Sequence, residues 1–471
     1  MMRAWIILSL LAPLAIGCGD DDDTSTPDAS PDGSGMDGDA ASGATSFTLT
    51  IENTATAFQF PASGVFDTPV GEAAAAPIGP GGAYEFTFRA APRYPGQMDT
   101  TRLSLATMFV PSNDYFIAPG EGGIPLFDAM GMPRTGDLTT ELMVWDAGTE
   151  ADEPLGGDMA TSPNQKQNQE PTAEDVGDAD PMNMVRLATS ANLPGIEEVI
   201  QLTVAATEVD REYEFTVTIT NMSMAGTIAG ATAFDGAVPM SPGVWLVHNQ
   251  ADADPGPLFT VGEPDRDQGI DDIAEDGFNT RLAMSVEAMT GITAVSSPGA
   301  WAVHTDAVSL FQSGMPDPGQ GLEAIAEDGM AMGLVDALGT VDGVSSAGAI
   351  GTMPIGPGGM FTAEFTASPG DRFSFATMVV PSNDLIFAFD PAGIELFDAA
   401  GMPVSGEMSA MLQIWDAGTE IDQFPGVGLD QVHLQPMPNT GADDPDSNVR
   451  VYAGGNFPAA SELLNVTITA N

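Results

Sequence analysis

The sequence predicts an all-β chain of two tandem antiparallel β-sandwich modules with a few short helices, preceded by a disordered acidic tether. Three observations predict it. Apolar and polar residues alternate with period two at intervals along the chain, and sustained helical periodicity is scarce. The 54 glycines and 37 prolines punctuate the chain as many short strands and turns do. A set of short motifs recurs once at a fixed distance, the mark of a duplicated fold.

Taken in order, the first element is a leader. Arg3 precedes a nearly continuous apolar stretch from Ala4 to Ile16, and Ala15-Ile16-Gly17-Cys18 reads as a lipoprotein cleavage box. The apolar run falls short of the roughly 20 residues that span a bilayer. Cys18 is the only cysteine of the chain. Residues 1–18 are therefore expected to be a lipoprotein signal peptide, with acylated Cys18 holding the protein to a lipid bilayer at the cell envelope. Gly19, directly after the cysteine, favours the outer membrane or cell surface over the inner membrane. Once Cys18 is lipidated, no disulfide remains to staple the loops.

Residues 19–45 hold Asp, Ser, Thr, Gly, Ala and Pro, open with Asp20 to Asp23, and contain no aromatic residue. Such a segment cannot bury a core and is expected to be a flexible tether. The whole chain sets 67 acidic residues against 12 basic ones, of which Lys166 is the only lysine, for a formal charge of −55. A field of that sign repels phosphate backbones, excludes nucleic acid as a natural partner, and attracts cations.

The modules follow. Phe47, Leu49 and Ile51 alternate with Thr48, Thr50 and Glu52; Phe215, Val217 and Ile219 alternate with Thr216, Thr218 and Thr220; and Leu464, Val466 and Ile468 close the chain in the same pattern. Pro111-Ser112-Asn113-Asp114 returns as Pro381-Ser382-Asn383-Asp384, and Trp145-Asp146-Ala147-Gly148-Thr149-Glu150 returns as Trp415-Asp416-Ala417-Gly418-Thr419-Glu420, both at an offset of 270. Asp180-Pro181 to Val185-Arg186 likewise returns as Asp444-Pro445 to Val449-Arg450. These recurrences place a first module at 46–207 and a second at 212–471, with a short linker at Thr207 to Arg211.

The two are unequal: 24 residues separate Asn53 from Ile78, whereas 133 separate Asn221 from Ile355. The excess is itself a duplication. Ser241-Pro242-Gly243-Val244-Trp245-Leu246-Val247-His248 is echoed from Ser297 to His304, and Ile273-Ala274-Glu275-Asp276-Gly277 is echoed from Ile325 to Gly329. Leu322, Ile325 and Ala326 lie at helical spacing with Gly329 as a C-cap, so each echo predicts strand, loop and short helix. On this division the first module lacks the histidine block and the second carries it twice.

From Ser46 onward the chain resembles the spondin-N domain family, including bacterial members carried behind a lipoprotein signal. Three blocks carry the resemblance: the Ser-Pro strand ending in histidine with its downstream Ala-Glu-Asp-Gly, the Pro-Ser-Asn-Asp turn, and Trp-Asp-Ala-Gly-Thr-Glu. The resemblance implies a C2-like β-sandwich and an extracellular adhesion role. It also implies a calcium site at Asp114, Asp146 and Glu150 in the first module and at Asp384, Asp416 and Glu420 in the second. Glu150 and Glu420 stand where animal members have aspartate, so this third ligand is one methylene longer.

The chemistry suits such an ion. Calcium takes six to eight oxygens at about 2.3–2.6 Å, mostly from carboxylates and loop carbonyls. The two acidic turns of each module lie 32 residues apart, enough for an outgoing and a returning strand that bring both to one end of a sheet. Asn-Asp and Asp-Ala-Gly are also ordinary turn formers, so spacing alone leaves the metal and turn readings both open. His248 and His304 follow a tryptophan by three residues and are expected to be hydrogen-bonded scaffolding rather than metal ligands.

The sequence holds no zinc-protease helix, nucleophile elbow, phosphate loop or dinucleotide fingerprint. The expectation is a non-catalytic, calcium-stabilised binding or adhesion protein with an extracellular glycan or protein as its ligand. The alternative is a metal-dependent or carboxylate-based envelope hydrolase.

Overall fold

The computed structural model describes residues 43–92, 101–157, 178–209, 212–249, 255–426, 428–432, 434–454 and 457–471. Cys18, the rest of the leader and tether residues 19–42 lie outside them, as does His433. The strands of the first 250 residues are β1 (Thr45–Asn53), β2 (Ala62–Phe66), β3 (Ala83–Ala90), β4 (Thr101–Met108), β5 (Tyr115–Pro119), β6 (Ile124–Pro125), β7 (Gly136–Asp137), β8 (Leu142–Asp146), β9 (Arg186–Leu187), β10 (Ile200–Val209), β11 (Glu212–Asn221) and β12 (Gly243–Asn249). The remainder are β13 (Ser296–His304), β14 (Val344–Ile350), β15 (Met360–Ala367), β16 (Arg372–Val379), β17 (Leu385–Ala388), β18 (Ile394–Glu395), β19 (Gly406–Glu407), β20 (Gln413–Asp416), β21 (Arg450–Val451) and β22 (Leu464–Ala470). Among the described residues six short α-helices occur: α1 (Ile196–Val199), α2 (Ile270–Asp276), α3 (Thr280–Ala288), α4 (Leu322–Asp328), α5 (Met332–Leu338) and α6 (Ala460–Leu463). No helix among the described residues is long and apolar enough to cross a membrane.

The strands build two antiparallel sandwiches of the same plan. In the first, a four-stranded sheet ordered β3-β11-β10-β7 faces a seven-stranded sheet ordered β2-β12-β4-β5-β8-β9, with β6 beside β4. In the second, β15-β1-β22-β19 faces β14-β13-β16-β17-β20-β21, with β18 beside β16. Period-two alternation puts one side of each strand into the core between the sheets: Phe47, Leu49 and Ile51 are fully buried among Phe361, Phe365 and Val466. The outer face of each larger sheet is covered by a helix pair, α2 and α3 in the first and α4 and α5 in the second, which bury Ile273 and Leu282 or Ile325 and Leu334.

The strand pairings differ from the expected division of the chain. The divide placed at Thr207 to Arg211, of which 210 and 211 lie outside the described residues, falls inside one sheet: β10 and β11 pair antiparallel from Ile200 opposite Asn221 to Val209 opposite Glu212. β1 instead joins the second sandwich, with Leu49 opposite Ala363 on one side and Ile468 on the other. β12 joins the first, with Trp245 opposite Leu105 and Gly64. Each sandwich therefore has one histidine strand and one helix pair, which corrects the reading of an incomplete first module and a second with two copies.

The chain thus begins the second sandwich with β1, builds all of the first from β2 to α3, and returns at β13 to complete the second. Matching side chains confirm the pairing. Asn53 donates Nδ2 to the carbonyls of Ala294 and Ile355, and Asn221 donates to Val238 and Ile78 at the corresponding positions. In each larger sheet the tryptophan lies flat over a glycine of the edge strand: a Cβ at Gly64 would sit 2.9 Å from the Trp245 ring, and one at Gly348 would sit 2.8 Å from Trp301.

Candidate metal centre

The acidic turns of each module meet as the spacing predicts. β5 and β8 pair with Tyr115 opposite Asp146, and β17 and β20 pair with Leu385 opposite Asp416, so the turn that ends in Asp114 or Asp384 abuts the turn that begins at Asp146 or Asp416. Asp384 is fully buried, and its Oδ2 accepts the amides of Thr419 and Glu420 at 3.0 and 3.2 Å. Asp114 accepts from Thr149 and Glu150 in the same way, both at 3.1 Å. Asp416 and Asp146 each accept the amide two residues on, from Gly418 and Gly148, at 2.7 Å. The backbone thus satisfies one oxygen of each central aspartate. The other, Oδ1 of Asp114 and of Asp384, is buried and has no hydrogen-bond partner.

In the second sandwich Asp384, Asp416 and Asp422 each aim an oxygen so that all three lie within 4.8 Å of one another. Oxygens bound to a common calcium at about 2.3–2.6 Å can be no farther apart than about 5 Å, so the triplet matches one ion. Two of the six sequence-assigned residues, Asp384 and Asp416, belong to it. Glu420 does not: its Oε1 accepts the amide of Gly441 at 2.7 Å. Asp422 takes the place given to Glu420.

Among the described residues no such triplet forms in the first sandwich, and one side chain there differs. Tyr115 donates its hydroxyl at 3.2 Å to Asp152, the residue that matches Asp422, and Asp152 lies 3.6 Å from Arg186. The second sandwich has Leu385 at that position and leaves Asp422 uncommitted to a phenol.

The electrostatics record the crowding. Burial raises Asp384 to about 6 against the pull of its two amides, and burial together with the charges of Asp384 and Asp422 raises Asp416 to about 8. Asp114 and Asp146 stand at about 6 and about 8 for the same reasons, burial first. Arginine offsets part of this charge. Arg450 contacts Asp416, Asp422 and Asp444 at 2.6, 3.0 and 2.7 Å, and Arg186 reaches Asp146 at 2.6 Å and Asp180. These arginines lie in the recurring Val-Arg motif. The Asp444 loop is thereby tied to the site.

The donor set of the second sandwich fits a hard cation: carboxylate oxygens only, one of them buried without a donor. Arg450 covers the outer oxygens and leaves Asp384 Oδ1 unsatisfied. His248 and His304 take no part. Both are buried, and each meets a serine of its own sandwich at 2.9 Å, Ser104 and Ser374 respectively. No family model matches the chain, and no curated protein matches it.

Proposed function

We propose that the protein is a non-catalytic binding or adhesion module of the cell envelope, held to the bilayer by acylated Cys18 and stiffened by calcium at Asp384, Asp416 and Asp422. The observation that carries the calcium reading is a triplet of carboxylates, Asp384, Asp416 and Asp422, within 4.8 Å of one another, in which Asp384 is fully buried and its Oδ1 has no hydrogen-bond partner. An ion there would neutralise charge that the protein itself compensates only from the Arg450 side, and would lock two loops at one end of the sandwich. The spondin-N resemblance supports the same role, with Asp422 in place of Glu420 as third ligand. The first-sandwich matches of this triplet, Asp114, Asp146 and Asp152, form no such cluster among the described residues, where Tyr115 donates to Asp152. The ligand is an extracellular glycan or protein met through the loops.

Calorimetric titration with calcium chloride tests this on wild type and Asp384→Asn. Asparagine keeps the shape and the two amide contacts but removes the charge. The wild type should bind at roughly 10⁻⁴–10⁻³ M, the range of extracellular calcium modules, and melt higher when loaded. Equal binding by the variant would reject the site. Release of reducing sugars from envelope polysaccharide, lost in the same variant, would instead favour the carboxylate hydrolase.

A further inference from the structure

We propose that the second sandwich carries another divalent-cation site of calcium type, in a cavity between α4 and the Thr419-Glu420 turn, with Glu327 and Glu420 as its buried ligands. The proposal goes beyond the function above, which concerns Asp384, Asp416 and Asp422. The cavity has a volume of about 360 Å³ and is lined by the carboxylates of Asp317, Glu323, Glu327, Glu420, Asp443 and Asp444.

Three observations carry it. First, Glu327 and Glu420 are each only 3 % exposed, yet Oε2 of each has no hydrogen-bond partner. The Gly441 amide occupies Oε1 of Glu420, and a Cβ at Gly441 would lie 2.1 Å from that carboxyl carbon, so the glycine lets the loop close on it. Asp317 Oδ1 at the rim is likewise without a donor. Buried carboxylates that each keep one oxygen without a donor and have no counter-charge in the cavity are unfavourable, and a cation is what such a set lacks.

Second, no lysine or arginine lines the cavity. Arg450, the guanidinium at its edge, is engaged by Asp416, Asp422 and Asp444. Third, the first sandwich carries a fixed cation beside the match of one cavity-lining carboxylate. At an offset of 52, Asp271 matches Glu323 of the cavity, and Asp271 lies 3.4 Å from Arg281 of α3. The matching position in α5 is Gly333. The first sandwich thus places a guanidinium where the second has none, beside Glu323. Carboxylate-only donors with room for water select calcium over softer metals.

The test is calorimetric titration of the full chain with calcium chloride, for wild type, Glu327→Gln, Gly333→Arg and Asp422→Asn. Glu327→Gln should bind one calcium fewer than wild type while melting no lower in chelator, because glutamine keeps the shape and removes the charge. Gly333→Arg should weaken the same step by roughly tenfold, as a positive charge reaching Glu323 the way Arg281 reaches Asp271 would. Asp422→Asn should lose the step at the aspartate triplet and keep this one. Unchanged stoichiometry and affinity in Glu327→Gln would overturn the cavity site while leaving the triplet intact. Absence of any calcium uptake by the wild type would overturn both.

Discussion

Truncation of Leu49 to alanine will weaken the second sandwich and spare the first, although Leu49 lies in the chain's opening strand. Leu49 is fully buried between Ala363 and Ile468. Leu→Ala at such a position costs about 2–5 kcal/mol, from lost transfer energy and the remaining void. At about 3 kcal/mol, and roughly 2–4 °C per kcal/mol for domains of this size, the transition of the second sandwich should fall by about 6–12 °C. Calorimetric melting followed in parallel by fluorescence resolves the halves, because Trp145 and Trp245 pack in the first and Trp301 and Trp415 in the second. A Trp145→Phe/Trp245→Phe background reports the second half among the described residues. Val217→Ala, the matching change in β11, should do the reverse. If Leu49→Ala lowers the transition seen by Trp145 and Trp245 and leaves that of Trp301 and Trp415 in place, the exchange of opening strands is wrong.

Two further outcomes follow from single contacts. Burial holds His248 at about 4, below its ordinary 6.5, so the unfolded chain binds more protons between those values. Stability from this group is present above pH 6.5 and is lost as pH falls toward 4, and His248→Gln should lose about 2–3 kcal/mol less than wild type on acidification from pH 7 to 4, measured by urea melts. Arg450→Gln leaves Asp416 without its guanidinium; in chelator it should destabilise the second sandwich by about 3–5 kcal/mol, the cost of stranding one member of a buried pair, and calcium should restore much of it. Failure of calcium to raise the melting temperature of Arg450→Gln would argue that the arginine, not an ion, is the native counter-charge.

Much of this architecture was legible in the residues. The alternation at Phe47, Leu49 and Ile51 specifies a strand and its buried face, and the recurrence of Asp114 and Asp146 at Asp384 and Asp416 locates two hairpin ends that do meet. Alternation says nothing of which strand lies alongside, so the pairing of β1 with β15, more than three hundred residues on, could not be read locally. The equal spacing of the histidine strands hid the fact that Trp245 packs on Phe86 of the first sandwich, with ring centroids 5.0 Å apart. Asp422 was missed because it stands beyond the turn motif, though its recurrence from Asp152 was a usable signal. The part of Arg450 was missed because its charge approaches from a different loop.

The opening strand also sets how the molecule bears load. β1 enters the second sandwich at Thr45, leaves for the first at Asn53, and is gripped on both sides by antiparallel neighbours. Tension between the segment before Thr45 and anything held by the first sandwich runs along the strand and strains its backbone bonds to β15 and β22 together, in shear. Tension between that segment and Asn471 peels β22 away bond by bond, because Phe47 lies opposite Ala470. The same strand is thus tough toward a pull relayed through the first sandwich and weak toward one applied at the chain's end.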